Sequence, residues 1–545
     1  MQLLSRRNLL QFAALGAAAV ALPGCAQTAS SPSNTGSAGG GAVLIGTTDK
    51  VTALDPAGEY DNGSFALISN CFPFLLNTKP GSTDATPVPD IAESASFTSD
   101  KEYTVKLKSG LKFANGHDLT SEDVKYSFDR MIKINDPNGP SSLLANLDSV
   151  STSDDLTVVF TLKVANDQTF PQVLTSPAGP IVDKDSFPAD KLLDDDAIVK
   201  ANAFAGPLRI TDYTKNQLVS FARWDGYQGV LGAAKASTVT MKYYAQDENL
   251  KLGVQQGEVD VASRSLSATD IDSLRSDSKL KVYEGTGGEM RMLVFNFDTM
   301  PFGAKTSEPS AAKSLAVRQA IASLLDRSAV STNVYKGTYN PLFAYVPDGF
   351  LGASPTLKSA YGDGNGGPSK DKATKFLADA GVTTPVALNI QYNPDHYGQS
   401  SSDEYTAMKS QLESSGLFTV DLKSTEWVQY NKDRVADVYP IYQLGWFPDF
   451  PDPDNYLTPF FTEGNFIHQH YSNEAVAQAI TAQATEPDKT KRQALLKEIQ
   501  DKLTADLPTI PLLQGKQVLI ASTAVKGAEN AIDISFKLRM NVLSK

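Results

Sequence analysis

Residues 91–124 read IAESASFTSDKEYTVKLKSGLKFANGHDLTSEDV, and this stretch decides the class of fold. Tyr103, Val105 and Leu107 alternate with Thr104, Lys106 and Lys108, the period-two pattern of a half-buried strand. Leu111 and Phe113 continue the alternation, and Asn115-Gly116 is a turn signal. Thr120-Ser121-Glu122-Asp123 then reads as a capping box, with Val124, Phe128 and Met131 on one face of the helix it opens. The same two periods recur further along. Leu156, Val158, Phe160, Leu162 and Val164 alternate as another strand. Val317, Ile321 and Leu324 share a helical face, as do Ala373, Phe376, Leu377 and Ala380, with Gly381 as the stop. Leu495, Leu496, Ile499 and Leu503 form a further amphipathic helix before Leu507-Pro508. Strands and helices interspersed over 545 residues, with no internal repeat, predict α/β or α+β lobes in two to four domains.

The N-terminus is of a different kind. Ser5-Arg6-Arg7-Asn8-Leu9-Leu10 is a twin-arginine signal, followed by an Ala-rich apolar run from Leu9 to Leu22. That run is shorter than the ~20 apolar residues that cross a bilayer comfortably. It ends in Leu22-Pro23-Gly24-Cys25, which has the form of a lipobox. The reading is a signal peptide over 1–24 and a mature chain that starts at a lipidated Cys25, tethered to the extracytoplasmic face of a bacterial membrane. Residues 26–41, AQTASSPSNTGSAGGG, lack the apolar bulk to fold and extend the 25–42 segment as a flexible linker. Order is expected from Val43-Leu44-Ile45 onward.

Hydrophobic residues make up 41% of the chain, enough for a sizeable core. The formal net charge is −13, and loss of Arg6 and Arg7 makes the mature chain more acidic still, which opposes nucleic-acid binding. Of the two cysteines, a lipidated Cys25 leaves Cys71 alone, so no internal disulfide is expected. Cys71 lies in Asn70-Cys71-Phe72-Pro73-Phe74 and reads as buried packing. There is no His-Glu-x-x-His, Gly-x-Ser-x-Gly or Cys-x-x-Cys, and the loop Asp363-Gly364-Asn365-Gly366-Gly367-Pro368 lacks the Gly-Lys-Ser/Thr of a phosphate loop. His468-Gln469-His470 would share a strand face, but no nearby Cys or second His pair completes a metal site, and the pair reads as surface histidines. Neither catalysis nor a metal or cofactor is expected.

The densest cluster is Leu444-Gly445-Trp446-Phe447-Pro448-Asp449-Phe450-Pro451-Asp452-Pro453-Asp454-Asn455-Tyr456. Prolines stiffen its backbone, aromatics offer contact surface, and carboxylates can pair with a cation. Composition leaves three readings open: a calcium loop with the wrong ligand spacing, a rigid platform offering a carboxylate to an amine, or a Pro-rich turn.

The 91–124 stretch resembles the signature of family 5 solute-binding proteins, the peptide receptors of ABC importers. Leu54-Asp55-Pro56, Gly257-Glu258-Val259-Asp260, Phe295-Asn296, Pro301-Phe302, Val317-Arg318-Gln319-Ala320-Ile321 with Leu325-Asp326-Arg327, Gly445-Trp446 with Asp449 and Asp452-Pro453, Asp506-Leu507-Pro508 and Ile510-Pro511-Leu512 match the family in order. The resemblance spans residues 43–545. It implies a two-lobed periplasmic-binding-protein type II fold with an additional domain in the first lobe. Carried over, lobe one is 43–77, 206–292 and 516–545, the additional domain 78–205, and lobe two 293–515.

It also implies a peptide bound in extended form between the lobes of a monomer that delivers it to ABC permease subunits. Tyr60, Asp61 and Asn62 map to one flank of that peptide, and Gly445, Trp446 and Phe447 to the other. Asp449 maps to the carboxylate that pairs with the peptide α-amino group, while Asp452 and Asp454 shape the loop. Dipeptide-specific members carry an Arg just before Pro-Tyr-Asn-Pro to hold the ligand carboxylate. Here the stretch is Gln391-Tyr392-Asn393-Pro394 and that position is Ile390, which favours longer peptides and keeps sugars, opines and metal complexes open as ligands.

Overall fold

A computed structural model describes residues 41–545 apart from Ser265 and Gln399; the twin-arginine motif, the lipobox with Cys25 and most of the linker lie outside the described residues. Two large sheets organise the chain. The first has seven strands in the order Leu280–Gly285, Gln517–Ser522, Val261–Ser263, Val43–Thr47, Thr238–Tyr243, Leu218–Arg223, Leu208–Thr214. Val43–Thr47 pairs parallel with both neighbours, so the first strand described forms the centre of this sheet. The second has six strands in the order Tyr339–Pro341, Thr509–Gly515, Met290–Phe295, Ile441–Trp446, Val386–Tyr392, Phe418–Ser424. Each sheet has its own apolar core.

A third core belongs to a four-stranded antiparallel sheet, Ala92–Ser99, Glu102–Leu107, Thr157–Leu162 and Leu147–Asp154, covered by the helix Ser121–Ile134. Tyr103, Val105 and Leu107 are buried as the alternation predicts, and Val124, Phe128 and Met131 face them from the helix. Phe128 meets Phe160 edge-on at 5.0 Å between ring centres. The Asp123 carboxylate accepts the Thr120 N–H at 2.9 Å, the reach-back half of a capping box. Both strands are shorter than their alternation. Gly110 takes a positive φ of 72° and turns the chain after Leu107, so Leu111 and Phe113 are buried from a loop. Past Leu162, Asn146 Oδ1 captures the Val164 N–H at 2.8 Å, and Val164 turns outward.

This unit is tied to the first segment by one buried ion pair. Arg130 grips Asp55 through both guanidinium nitrogens at 2.8 and 2.6 Å, and the Leu193 N–H adds a 2.7 Å bond to the same carboxylate. Cys71 is buried, and burial pushes its thiol pKa up. Among the described residues, no helix is long and apolar enough to cross a membrane.

The two large sheets are joined by two crossings, Thr286–Glu289 and Lys516. Met290–Phe295 is a single strand of the six-stranded sheet, with a register shift against Thr509–Gly515 between Arg291 and Met292, so the boundary expected at 292 falls inside it and the chain changes sheets at 286–289 instead. The crossings touch at glycine: a Cβ on Gly287 would overlap the Gly515 carbonyl oxygen. Gly287→Ala is therefore expected to push the crossings apart at a cost of ~1–3 kcal/mol. An unchanged denaturation midpoint would show that this contact does not restrict the crossing.

Candidate functional site: a cleft between the two large sheets

A cavity of about 600 Å³ opens where the crossings run, lined from the first sheet's side by Thr47, Asn62, Tyr243 and Arg264 and from the second's by Glu289, Arg291, Tyr339, Tyr397 and Phe447. The helix Asn62–Cys71 starts at its wall. Asp61 caps that helix: its Oδ1 accepts the Ser64 N–H at 2.8 Å, its Oδ2 accepts from Ser64 Oγ at 2.8 Å and from Thr52 Oγ1, and its own carbonyl accepts the Phe65 N–H at 3.0 Å. The Asp61 side chain is thus consumed locally, whereas Asn62 lines the cavity.

Tyr60 and Asp449 meet. The Tyr60 hydroxyl donates to Asp449 Oδ1, linking the segment before the first helix to the loop after the strand Ile441–Trp446. Burial and the charge of Asp449 push the Tyr60 hydroxyl pKa up. Asp449 is half-buried and held on its other side by Asn455, whose Nδ2 donates to Oδ2 at 2.9 Å. Asn455 Oδ1 in turn accepts the Asp449 backbone N–H at 3.0 Å and Trp446 Nε1–H at 2.9 Å. One asparagine therefore fixes both ring and carboxylate. Burial raises the Asp449 pKa above its ordinary value, and among the described residues no cation is paired with it to offset the shift.

The neighbouring aromatics divide the work. Trp446 packs edge-on to Phe460 at 5.0 Å, behind the cavity wall. Phe447 is exposed, lines the cavity, and has the Arg264 guanidinium 5.9 Å from its ring centre. Gly445 pairs with Arg291 in the sheet, and a Cβ there would stand 2.7 Å from the Tyr397 ring, so only glycine lets that ring lie against the strand.

The other two aspartates of the loop are structural. Asp452 is gripped by the buried Arg492 at 2.9 and 2.6 Å and caps the turn by accepting the Asp454 N–H at 2.9 Å. Asp454 is buried, accepts from Thr458 Oγ1 at 2.7 Å, and is pushed up to about 7 by burial and by Asp452. Asp452 is paired to a guanidinium and Asp449 to Tyr60, so the three aspartates do not turn toward a common centre, which disfavours the calcium-loop reading.

His468-Gln469-His470 forms no strand; both histidines have positive φ, 54° and 62°. His468 is exposed, and His470 Nε2 lies 2.5 Å from Asp437 Oδ1. The nearby Asp298 is paired to Lys305 at 2.8 Å. Ile390 is buried in its strand and offers the cleft nothing. The wall formed by Glu289, Arg291, Tyr339, His396 and Tyr397 escaped the sequence reading. Its one sequence signal is Arg291, a charge inside the otherwise apolar strand MRMLVF.

The profile of bacterial extracellular solute-binding proteins, family 5, middle region, matches residues 86–467. The dipeptide-binding protein DppE of Bacillus subtilis is 24% identical over 520 residues, covering 89% of each chain. Among solved structures, the ABC transporter substrate-binding protein CtaP of Listeria monocytogenes superposes with a TM-score of 0.78 at 21% identity, over 93% of this chain and 99% of that one. The periplasmic binding protein DppA of Helicobacter pylori, in complex with the peptide STSA, superposes with a TM-score of 0.70 at 18% identity, over 93% and 98%. These likenesses establish the type II periplasmic-binding fold, and the match over residues 86–467 makes this chain a member of the family 5 extracellular solute-binding proteins.

Proposed function

We propose that this protein is an extracytoplasmic receptor, anchored through lipid on Cys25, that captures peptides between two closing lobes and delivers them to an ABC permease. It binds and releases its ligand without altering it. Oligopeptides fit better than strict dipeptides, because the position of the dipeptide carboxylate anchor is the buried Ile390. Lobe one comprises 43–77, 206–289 and 516–545, the additional domain 78–205, and lobe two 290–515; the strand membership of the sheets supports this division.

The observation that carries the reading is Asp449. It is a largely desolvated carboxylate with no cation paired to it among the described residues, two residues from the cavity-lining Phe447, and bonded across the lobes by Tyr60. An incoming ammonium supplies the missing charge. The Tyr60 hydroxyl holds the carboxylate until then, while Asn62 and Phe447 flank the entering chain. Related proteins described as peptide-binding, and one solved with STSA, support the ligand class.

The test is mass spectrometry of the chain from residue 43 onward, purified gently under native conditions and then denatured to release bound ligand. A ladder of peptides two to several residues long is expected. A single non-peptide mass would overturn both the ligand class and the role given to Asp449.

A further inference from the structure

Glu289 is a second carboxylate in the cavity wall, placed where the first crossing enters Met290–Phe295. Its Oε2 accepts from the Tyr339 hydroxyl at 2.8 Å. Its Oε1 lies 2.6 Å from Arg291 Nε, yet neither atom makes an aligned hydrogen bond. Arg291 Nη2 donates to Tyr339 Oη at 3.2 Å and to the Tyr397 carbonyl at 3.0 Å, and its guanidinium lies 4.7 Å from the centre of the Tyr397 ring. Behind them the buried Glu404 accepts from the Tyr335 hydroxyl at 2.7 Å and leaves Oε1 without a partner. One guanidinium thus serves two carboxylates inside a wall of tyrosine rings. Of the ion pair, Glu289 is the more open member, with 16% of its side chain exposed against 5% for Arg291.

The rest of the lining has the same bias. Arg264 is tied to Asp49 at 3.0 Å and Lys516 to Glu284 at 2.9 Å. The Lys537 ammonium is buried against the Thr175 carbonyl at 2.6 Å. Asp247 lines the cavity beside Glu248, and burial with that neighbour raises its pKa. The cations of the lining are already engaged by the protein, while Asp247 sits beside a like charge and Glu404, under the cleft, keeps one oxygen without a partner.

We propose that the cleft carries a subsite for a cationic side chain, lysine- or arginine-like, seated against Glu289 and the rings of Tyr339 and Tyr397. The subsite rests on the peptide reading and narrows it to peptides with a basic residue at one position. Glu289 supplies the countercharge that a desolvated cation requires, and the tyrosine faces attract it further. An acidic side chain at that position would meet Glu289 first.

The test uses the chain from residue 43 onward and calorimetric titration with di-, tri- and pentaalanine and with single-position Lys, Arg, norleucine and Glu substitutions of each. At one position Lys or Arg is expected to bind ~10-fold or more tighter than norleucine, with Glu weakest. In Glu289→Gln the Lys-to-norleucine ratio should collapse toward one and Glu should gain, because Arg291 then has no countercharge at the surface; Glu289→Asp should keep part of the ratio. Alanine peptides that bind without any preference for Lys or Arg, or a preference unchanged in Glu289→Gln, overturn the subsite and leave the peptide receptor standing. Failure of every peptide, basic ones included, overturns both.

Discussion

Asp449→Ala is expected to lose most of the affinity for peptides with a free α-amino group. A closing cleft strips water from the ammonium, and without its carboxylate the charge is buried unpaired. Truncating one partner of such a pair typically costs ~2–5 kcal/mol, roughly 30-fold to several-thousand-fold in Kd. Acetylating the peptide N-terminus removes the other partner and should produce a comparable loss. The two changes together should cost little more than either alone, because they break one interaction. The pH dependence has a defined sign. Burial holds the Asp449 pKa above the ordinary carboxylate value, so lowering the pH protonates it earlier than an exposed aspartate. Affinity for free-amine peptides should therefore fall as pH drops through that raised pKa, and affinity for acetylated peptides should not follow. Equal binding of free and acetylated peptides by the unaltered protein would remove Asp449 from the site.

Asp55→Ala is expected to destabilise the fold by ~3–5 kcal/mol without touching the cleft. It strands the Arg130 guanidinium, which is buried between the first segment and the four-stranded unit. It also frees the Leu193 and Ala57 N–H groups that the same carboxylate accepts at 2.7 and 3.0 Å. Replacing Arg130 as well, by methionine, should recover part of the loss, because the penalty lies in the unpaired charge. The urea midpoint of the chain from residue 43 onward measures both. A midpoint shift in Asp55→Ala no larger than for an exposed aspartate such as Asp129 would show that the pair does not hold the two units together.

Much of the local structure was legible because short-range patterns cause it. The alternation at Tyr103–Leu107 and the helical face of Val124, Phe128 and Met131 are consequences of period, and the structure buries those residues. Where a strand stops depends instead on a partner. Val164 continues the apolar pattern yet leaves the sheet, because Asn146, 18 residues away, captures its N–H. Asp61 shows the same limit at the site. Its place after Leu54-Asp55-Pro56 suggests a ligand contact, but Ser64 three residues on converts it into a helix cap.

Sequence by itself determined the family and the proline-bound loop around Asp449, since each is written in contiguous residues. Tertiary structure alone decided which side chains line the cleft. Glu289, Tyr339, Tyr397 and Phe447 come from four separated segments that become one wall only when the six-stranded sheet sets them side by side. The charge bias of that wall has the same origin. Whether a carboxylate has its countercharge is a matter of distances across the fold, and Arg492 meets Asp452 at 2.6 Å while Asp449, three residues earlier, has no cation paired with it among the described residues.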